Sequence, residues 1–425
     1  MARYAVPNGR RLVEFDIPDW VDVAVVECNE LPTVADEERA IREAVWNPIG
    51  SVRLSEMVRP GQKAAIVVTD ITRKLPEDII VPILIDELVA GGIRADDITA
   101  VVATGTHRPN TSEELADMFG QDTVSKIRFV NHDPWDRRRL VELGKSRRGI
   151  PLSVNKEVAE ADVRISTGVI ETHLFAGYSG GVKSIAVGVA GEATIGATHN
   201  FEMLSQTRLG VIEGNAFREF LTEAASAVGL DFIVNVVQTG KKELVRAVAG
   251  HPVQAFLEGV KTARALYEVE IDQAGDVVVA GVGYPKNRDL YQATRAANTS
   301  VFGPRPVVRA GGTLIIPASC EDGYGHPGYV EWMAGSGGPD EIIETAKVNG
   351  FAPGEQKALI LAWILKHARV VITDCLIPAH DLRRIHLEAA ETVQRAVDDE
   401  LSRNPGARVI VIPDALLTLP VVKGS

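Results

Sequence analysis

Between Gly168 and Asn200 two histidines, one lysine and seven glycines crowd into 33 residues. His173 and His199 carry ring nitrogens that can move a proton or bind a metal, and Lys183 carries an amine open to covalent chemistry. Glycines let a backbone approach a bulky ligand closely. The nearest common motif is the phosphate-cradling Gly-x-x-x-x-Gly-Lys-Ser/Thr loop. Gly177, Lys183 and Ser184 match it, but Val182 stands where the second glycine is required. A β-branched residue rarely adopts that backbone conformation. An ordinary nucleotide-hydrolysing loop is therefore excluded, and Lys183 needs another role.

Upstream, further polar residues follow apolar runs. Ala64–Thr69 leads into Asp70, Ile71, Thr72 and Arg73, and Ile98–Ala103 into Thr104, Gly105, Thr106, His107 and Arg108. Val163–Ser166 leads toward His173, and Val277–Ala280 into Gly281, Val282, Gly283, Tyr284, Pro285 and Lys286. Four such run ends are expected to converge on one cleft, because ligands of open α/β sheets bind beyond the carboxyl ends of the strands. His107 and His173 suit acid–base work on opposite faces of a substrate. His199 fits either a metal ligand or a helix cap. Asp70 and Arg73 could pair locally, or Arg73 could bind an anion. His132 with Asp133, and His326, read as structural; His251, His367, His380 and His386 fit no constellation.

These residues must be positioned by something, and the pattern says what. The near-continuous apolar runs already quoted, with Phe232–Val237, Thr313–Pro317, Val370–Thr373 and Val409–Ile412, suit strands covered on both faces. Glu77–Gly91 and Gln356–Lys366 read as helices between them, and Thr111 with Glu114 as a capping box. The alternation predicts an α/β fold of two domains with mainly parallel sheets flanked by helices. At 425 residues two domains are expected. The polar stretch Glu268–Asp276 marks the junction, giving an N-terminal cofactor-binding domain over 1–270 and a C-terminal α/β domain over 271–425.

A composition of 45% hydrophobic and 24% charged residues is that of an ordinary globular chain. The net charge of −12 argues against nucleic acid and anionic membranes as partners. No apolar run approaches the roughly 18 residues of a membrane span, and the N-terminus carries no secretory pattern. Cys28, Cys320 and Cys375 fit neither a disulfide framework nor a zinc cluster. The expected location is the cytoplasm.

Taken together, the chain resembles the nickel-pincer-nucleotide-dependent lactate racemase family of 2-hydroxyacid racemases and epimerases. The resemblance rests on Asp70–Arg73, Ala103–Arg108, Asn131–Asp133 and Glu171–His173. It continues through Phe175-Ala-Gly-Tyr-Ser-Gly-Gly-x-Lys183, His199–Asn200, Tyr284–Lys286 and Tyr291–Gln292. It implies a pyridinium-3-thioamide-5-thiocarboxylate mononucleotide that grips nickel as a pincer, tethered to Lys183, with His199 as the metal's protein ligand. It implies His107 and His173 as the catalytic acid–base pair for reversible hydride transfer at C2. It further implies Arg73, Gln292 and Arg295 at the substrate; Asp70, Arg73 and Tyr291 at the cofactor; an active site in the cleft between the domains; and cofactor-synthesis proteins as loading partners.

Two departures from the family's lactate racemases bear on the substrate. Arg295 replaces a lysine, offering a planar fork, and Gln356 replaces a tryptophan. A 2-hydroxyacid more polar than lactate, such as malate or a sugar acid, is the expectation. The competing readings are a zinc-dependent hydrolase with His107, His173 and His199 as ligands, and a non-catalytic nucleotide-binding protein.

Overall fold

The computed structural model describes residues 1–423, in two compact units. One comprises Glu30–His199 with Ile212–Leu266; the other comprises Met1–Asn29, Asn200–Val211 and everything described from Tyr267 onward.

The first unit is built on a six-stranded sheet. Its spatial order is Leu244–Gly250, Phe232–Gln238, Val163–Val169, Ala64–Val68, Ile98–Val102, Arg128–Asn131. Neighbours run parallel except the first pair, which forms an antiparallel hairpin. Every residue of Ala64–Val68 and of Phe232–Gln238 is buried, the pattern of strands covered on both faces. Glu77–Ala90 supplies one cover, its Ile80, Leu84 and Leu88 packing into a core shared with Ile66, Val68 and Ile165. From Ala64–Val68 the chain winds outward to Arg128–Asn131, then returns to the other side at Val163–Val169. The reversal therefore lies between Val68 and Val169, where doubly wound sheets open a crevice.

The second unit holds another six-stranded sheet, entirely parallel. Its order is Glu388–Ala390, Arg369–Thr373, Val308–Pro317, Gly275–Ala280, Val409–Ile412, Val23–Val25. The edge strand Val23–Val25 is too short to read from sequence, and it explains why Met1–Asn29 belongs with the C-terminal half. A single cut near residue 270 is the simplest division along the chain, but the contacts interleave the units instead. The polar stretch expected to be a linker also differs: Glu268–Ile271 is a strand paired with Leu419–Val422. Of the four run ends expected to meet, those after Val68, Val102 and Val169 share the first sheet, whereas Gly275–Ala280 ends in the second.

Candidate active site

Asp70 follows the strand Ala64–Val68 by two residues and is buried. Its Oδ1 accepts from the Thr72 backbone N–H at 3.2 Å and from the Thr72 hydroxyl at 2.6 Å. Its Oδ2 meets His107 Nδ1 at 2.6 Å. Burial would raise this carboxyl, but the hydrogen bonds from His107 and Thr72 outweigh it and hold the group below its ordinary value. A carboxylate at Nδ1 fixes the neutral imidazole's proton there and leaves a lone pair at Nε2. His107 is thus prepared as a base, and its side chain is 55% exposed. The local ion pair considered for Asp70 and Arg73 does not form: Asp70 is engaged by His107 and Thr72, while Arg73 makes a backbone bond, N–H to the Asp70 carbonyl at 3.0 Å, and its charge acts on the carboxylate only from a distance.

His173 sits in a two-residue hairpin, Thr172–His173 against Gly177–Tyr178. Its Nδ1 accepts from the backbone N–H groups of Phe175 at 3.3 Å and Ala176 at 3.1 Å. Two donors aimed at Nδ1 put the neutral ring's proton on Nε2, the opposite tautomer to that of His107. The sequence gives no hint of this asymmetry, because it depends on which backbone groups close the turn.

That turn is pinned from behind by residues the sequence reading missed. Arg218 is buried; its guanidinium donates to the Ala176 carbonyl through Nε at 3.2 Å and Nη2 at 3.1 Å, and also to the Tyr178 carbonyl. Asn215 Nδ2 donates to the Phe175 carbonyl at 2.9 Å, and Asn235 Oδ1 accepts from Gly181 N–H at 2.6 Å. An Asn that caps a helix three residues before an arginine carries no distinctive signal. The fully buried Asn235 inside an apolar strand does: a polar residue there must serve a partner.

The glycines of this loop behave differently from the expectation. Gly180 and Gly181 have φ of +76° and +59°, and a Cβ on them would lie 2.8 Å from Asn235 Oδ1 and 2.8 Å from the Phe256 ring. Their smallness lets the chain pack on itself, and a ligand need not be invoked for it. Lys183 then enters a π-helix over Ser184–Gly188, a wide turn often found at functional sites. Gly188 accepts from Gly105 N–H at 2.9 Å, tying this segment to the loop that carries His107.

His199 ends the helix Glu192–Thr198. Its ring lies edge-on to Phe175 at 5.5 Å and to Phe217 at 5.6 Å, and Phe175 lies 6.1 Å from the His173 ring. Nδ1 lies 3.0 Å from the Ile195 carbonyl, so it carries the proton and leaves Nε2 as a lone pair. Burial lowers the pKa, the Ile195 bond opposes that, and the nearby Lys183 charge lowers it further. The result is a neutral imidazole with one open nitrogen beside an amine. His132 is structural, as expected. It is buried, bonded to the Ala190 carbonyl at 2.9 Å and to Asn155 at 3.1 Å, and burial lowers its pKa to about 4.

No group of three or more His, Cys, Asp or Glu side chains among the described residues is placed to hold a metal. The three-histidine zinc site is thereby corrected: His107, His173 and His199 are not gathered as one ligand group, and the two backbone donors at His173 Nδ1 leave a proton, not a lone pair, on its Nε2.

The remaining candidates lie in the second unit. Tyr291 and Gln292 fall in the helix Leu290–Ala293, capped by Asp289, and Arg295 begins the next helix. Arg295 Nη1 donates to Gln292 Oε1 at 3.2 Å, so these two form one polar pair. Gln356 spends its amide locally: Oε1 accepts from Gly354 N–H at 2.6 Å, and Nε2 reaches the Tyr291 hydroxyl at 3.4 Å.

Comparison with known proteins adds an independent line. Residues 8–210 match the lactate racemase N-terminal domain, and residues 269–419 the lactate racemase C-terminal domain. Lactate racemases of Thermoanaerobacterium thermosaccharolyticum and Lactiplantibacillus plantarum are 31% and 32% identical, each alignment covering 98% of this chain and 98% and 99% of the relative. The solved lactate racemase apoprotein from Thermoanaerobacterium thermosaccharolyticum superposes with a TM-score of 0.89 at 30% identity, over 99% of this chain and all of that one. A Thermotoga maritima protein of known structure shares the fold at a TM-score of 0.68 and 19% identity, over 93% of this chain and all of that one.

Proposed function

The chain belongs to the lactate racemase family and is an isomerase, a racemase, and from that premise we propose that it inverts C2 of a 2-hydroxyacid using a nickel-pincer nucleotide held on Lys183. The observation that best supports this is the pair of opposite tautomers. His107 offers a lone pair at Nε2 and His173 offers an N–H at Nε2, each locked by contacts at Nδ1.

The residues present fit the cofactor. His199 has the neutral ring, anchored Nδ1–H and open Nε2 of a metal ligand, and Lys183 is near enough to shift its pKa. Imidazole is a suitable nickel ligand. When bound, the group supplies a hydride acceptor, without which the weakly acidic C2 hydrogen could not leave. The chain's own residues do the rest. His107 takes the hydroxyl proton at Nε2, and Asp70 stabilises the imidazolium that forms. His173 donates a hydrogen bond from Nε2 to the substrate oxygen. Arg73, Gln292 and Arg295 are assigned to the substrate, the guanidinium fork suiting a planar carboxylate, and Asp70, Arg73 and Tyr291 to the cofactor.

The relatives are named lactate racemases. A more polar 2-hydroxyacid, malate or a sugar acid, is favoured here by the arginine at 295. Gln356 lends less support than its polarity suggests, since its amide is already bonded. The partners in this reading are the 2-hydroxyacid and the proteins that make and load the cofactor, in the cytoplasm. No helix among the described residues is long and apolar enough to cross a membrane.

Intact-mass measurement of protein co-expressed with a cofactor-making pathway tests the reading. A nucleotide-sized adduct absent from Lys183→Ala, together with loss of optical rotation of a 2-hydroxyacid, is expected. Racemisation by protein of unmodified mass would refute the tether.

A further inference from the structure

One charged side chain in the second unit has no evident occupation. Lys357 lies in the first turn of the helix Gln356–His367 and is 2% exposed. Its Nζ has no hydrogen-bond partner among the described residues. It stands 5.5 Å over the Tyr291 ring, on the residue next to Gln292, and within electrostatic reach of Arg295 and Asp289. Two further titratable rings flank Tyr291: Tyr329 at 5.6 Å, whose hydroxyl donates to the Tyr324 carbonyl at 3.0 Å, and His326 at 6.4 Å, whose Nδ1 is likewise buried without a partner.

Burying an amine with no acceptor is costly, and facing it toward an arginine adds repulsion. The Asp289 charge offsets this only in part: it makes no hydrogen bond to the amine, and its Oδ1 caps the helix by accepting from Gln292 N–H at 2.8 Å. Burial first, then the Arg295 charge, brings the Lys357 pKa down to about 7. A second cation so close to Gln292 and Arg295 exceeds what one carboxylate requires. An apolar residue would pack there at lower cost, as its neighbours Ala358, Leu359 and Ile360 do.

We propose that Lys357 and Arg295 together form a seat for a second anionic group of the substrate, a carboxylate remote from C2, so that the preferred substrates are 2-hydroxydicarboxylates. The proposal rests on the reading that Gln292 and Arg295 bind substrate. The stem of Lys357 has four carbons with rotatable bonds, which lets the amine follow the anion that neutralises it. An anion placed there restores the lysine's charge, so binding takes up a proton from neutral or mildly alkaline solution. A monocarboxylate such as lactate leaves the seat empty and takes up none there.

Titration calorimetry on the full-length protein, using malate and lactate as probes at pH 8 in buffers of different ionisation enthalpy, tests this without relying on turnover. The expected result is malate binding at least tenfold tighter than lactate, with proton uptake for malate alone. Lys357→Met should reduce the malate-to-lactate affinity ratio at least tenfold and abolish the uptake, and Lys357→Arg should keep the ratio while losing the uptake. Equal affinity for the two probes in the wild type, or an unchanged ratio in Lys357→Met, overturns the proposal. Should Lys357→Met fail to fold, the wild-type ratio and proton uptake and the Lys357→Arg variant decide. Racemisation of neither probe by the cofactor-loaded protein would count against the catalytic reading alone, since the binding ratio is measured separately.

Discussion

Asp70→Asn offers the sharpest test of how His107 is prepared. In the wild type, Oδ1 takes two donors from Thr72 and Oδ2 takes His107 Nδ1–H. An asparagine here must turn its carbonyl toward Thr72, because the Thr72 backbone N–H has no lone pair to offer an amide. The Nδ2 group then faces His107 Nδ1 and donates to it, which moves the imidazole proton to Nε2 and removes the base's lone pair. The imidazolium formed in turnover also loses its buried carboxylate. Loss of a general base costs about 10² to 10⁴ in rate, and an Asp-to-Asn change that fixes the wrong tautomer in serine proteases costs about 10⁴. The His107 side chain is 55% exposed, so it has more room to reorient than a buried ring. A fall in kcat of about 10² to 10³ is expected, with KM changed far less. Optical-rotation assays of cofactor-loaded variants measure it. Because the two residues act as a unit, Asp70→Asn combined with His107→Ala should be no slower than His107→Ala alone. A kcat within threefold of wild type, or additive losses in the double variant, would refute the reasoning.

Three further outcomes follow from the same geometry. Glu77 is buried, and burial pushes its carboxyl up to about 7 against the opposing bonds from Thr69 and Thr167. The folded chain thus holds a proton that the unfolded chain releases near 4.5, so stability should fall as pH rises between those values. Glu77→Gln should flatten that slope and be more stable at pH 8 by up to about 3 kcal/mol, read by urea denaturation at pH 5 and pH 8. His199→Ala should lower nickel content in metal analysis of loaded protein, while His107→Ala keeps the metal and loses activity; equal metal loss in both would reassign the ligand. Gly181→Ala should destabilise by about 2 kcal/mol or more in thermal unfolding, since its φ is +59° and the new methyl would meet the Phe256 ring; an unchanged melting temperature would contradict that packing.

The central strands were legible because a strand buried on both faces must be almost wholly apolar: Ala64–Val68 and Val409–Ile412 are apolar throughout, and Phe232–Val237 is broken only by Asn235. Thr111 and Glu114 close the capping box their spacing predicts. His107 and His173 were legible as polar residues just past apolar runs, but their opposite proton states were not. Those depend on Asp70, 37 residues away, and on the turn at Phe175–Ala176. Glu77 and Lys357 escaped notice because each opens a helix, where a charged residue ordinarily faces water. Only the strongly apolar sequence following each one hints that its helix is covered on every side. Val23–Val25 is three residues long, and its partner Val409–Val411 lies at the far end of the chain.

That last pairing has a consequence for biosynthesis. A nascent chain emerges from its N-terminus, yet Val23–Val25 finds its sheet only after Val409–Val411 has been made. The unit of Glu30–His199 and Ile212–Leu266 has all its strands available much earlier and can condense while translation continues. Ala2–Gly9 and Arg11–Ile17 can pair with each other as soon as they emerge, but Val23–Val25 must wait for its partner. It then docks parallel to Val409–Val411, a contact of very high sequence separation and therefore slow to form. Tyr4, Phe15 and Ile17, buried or half-buried in the finished core, stay exposed during that interval, which makes the leading segment the part of this molecule most in need of a holding chaperone.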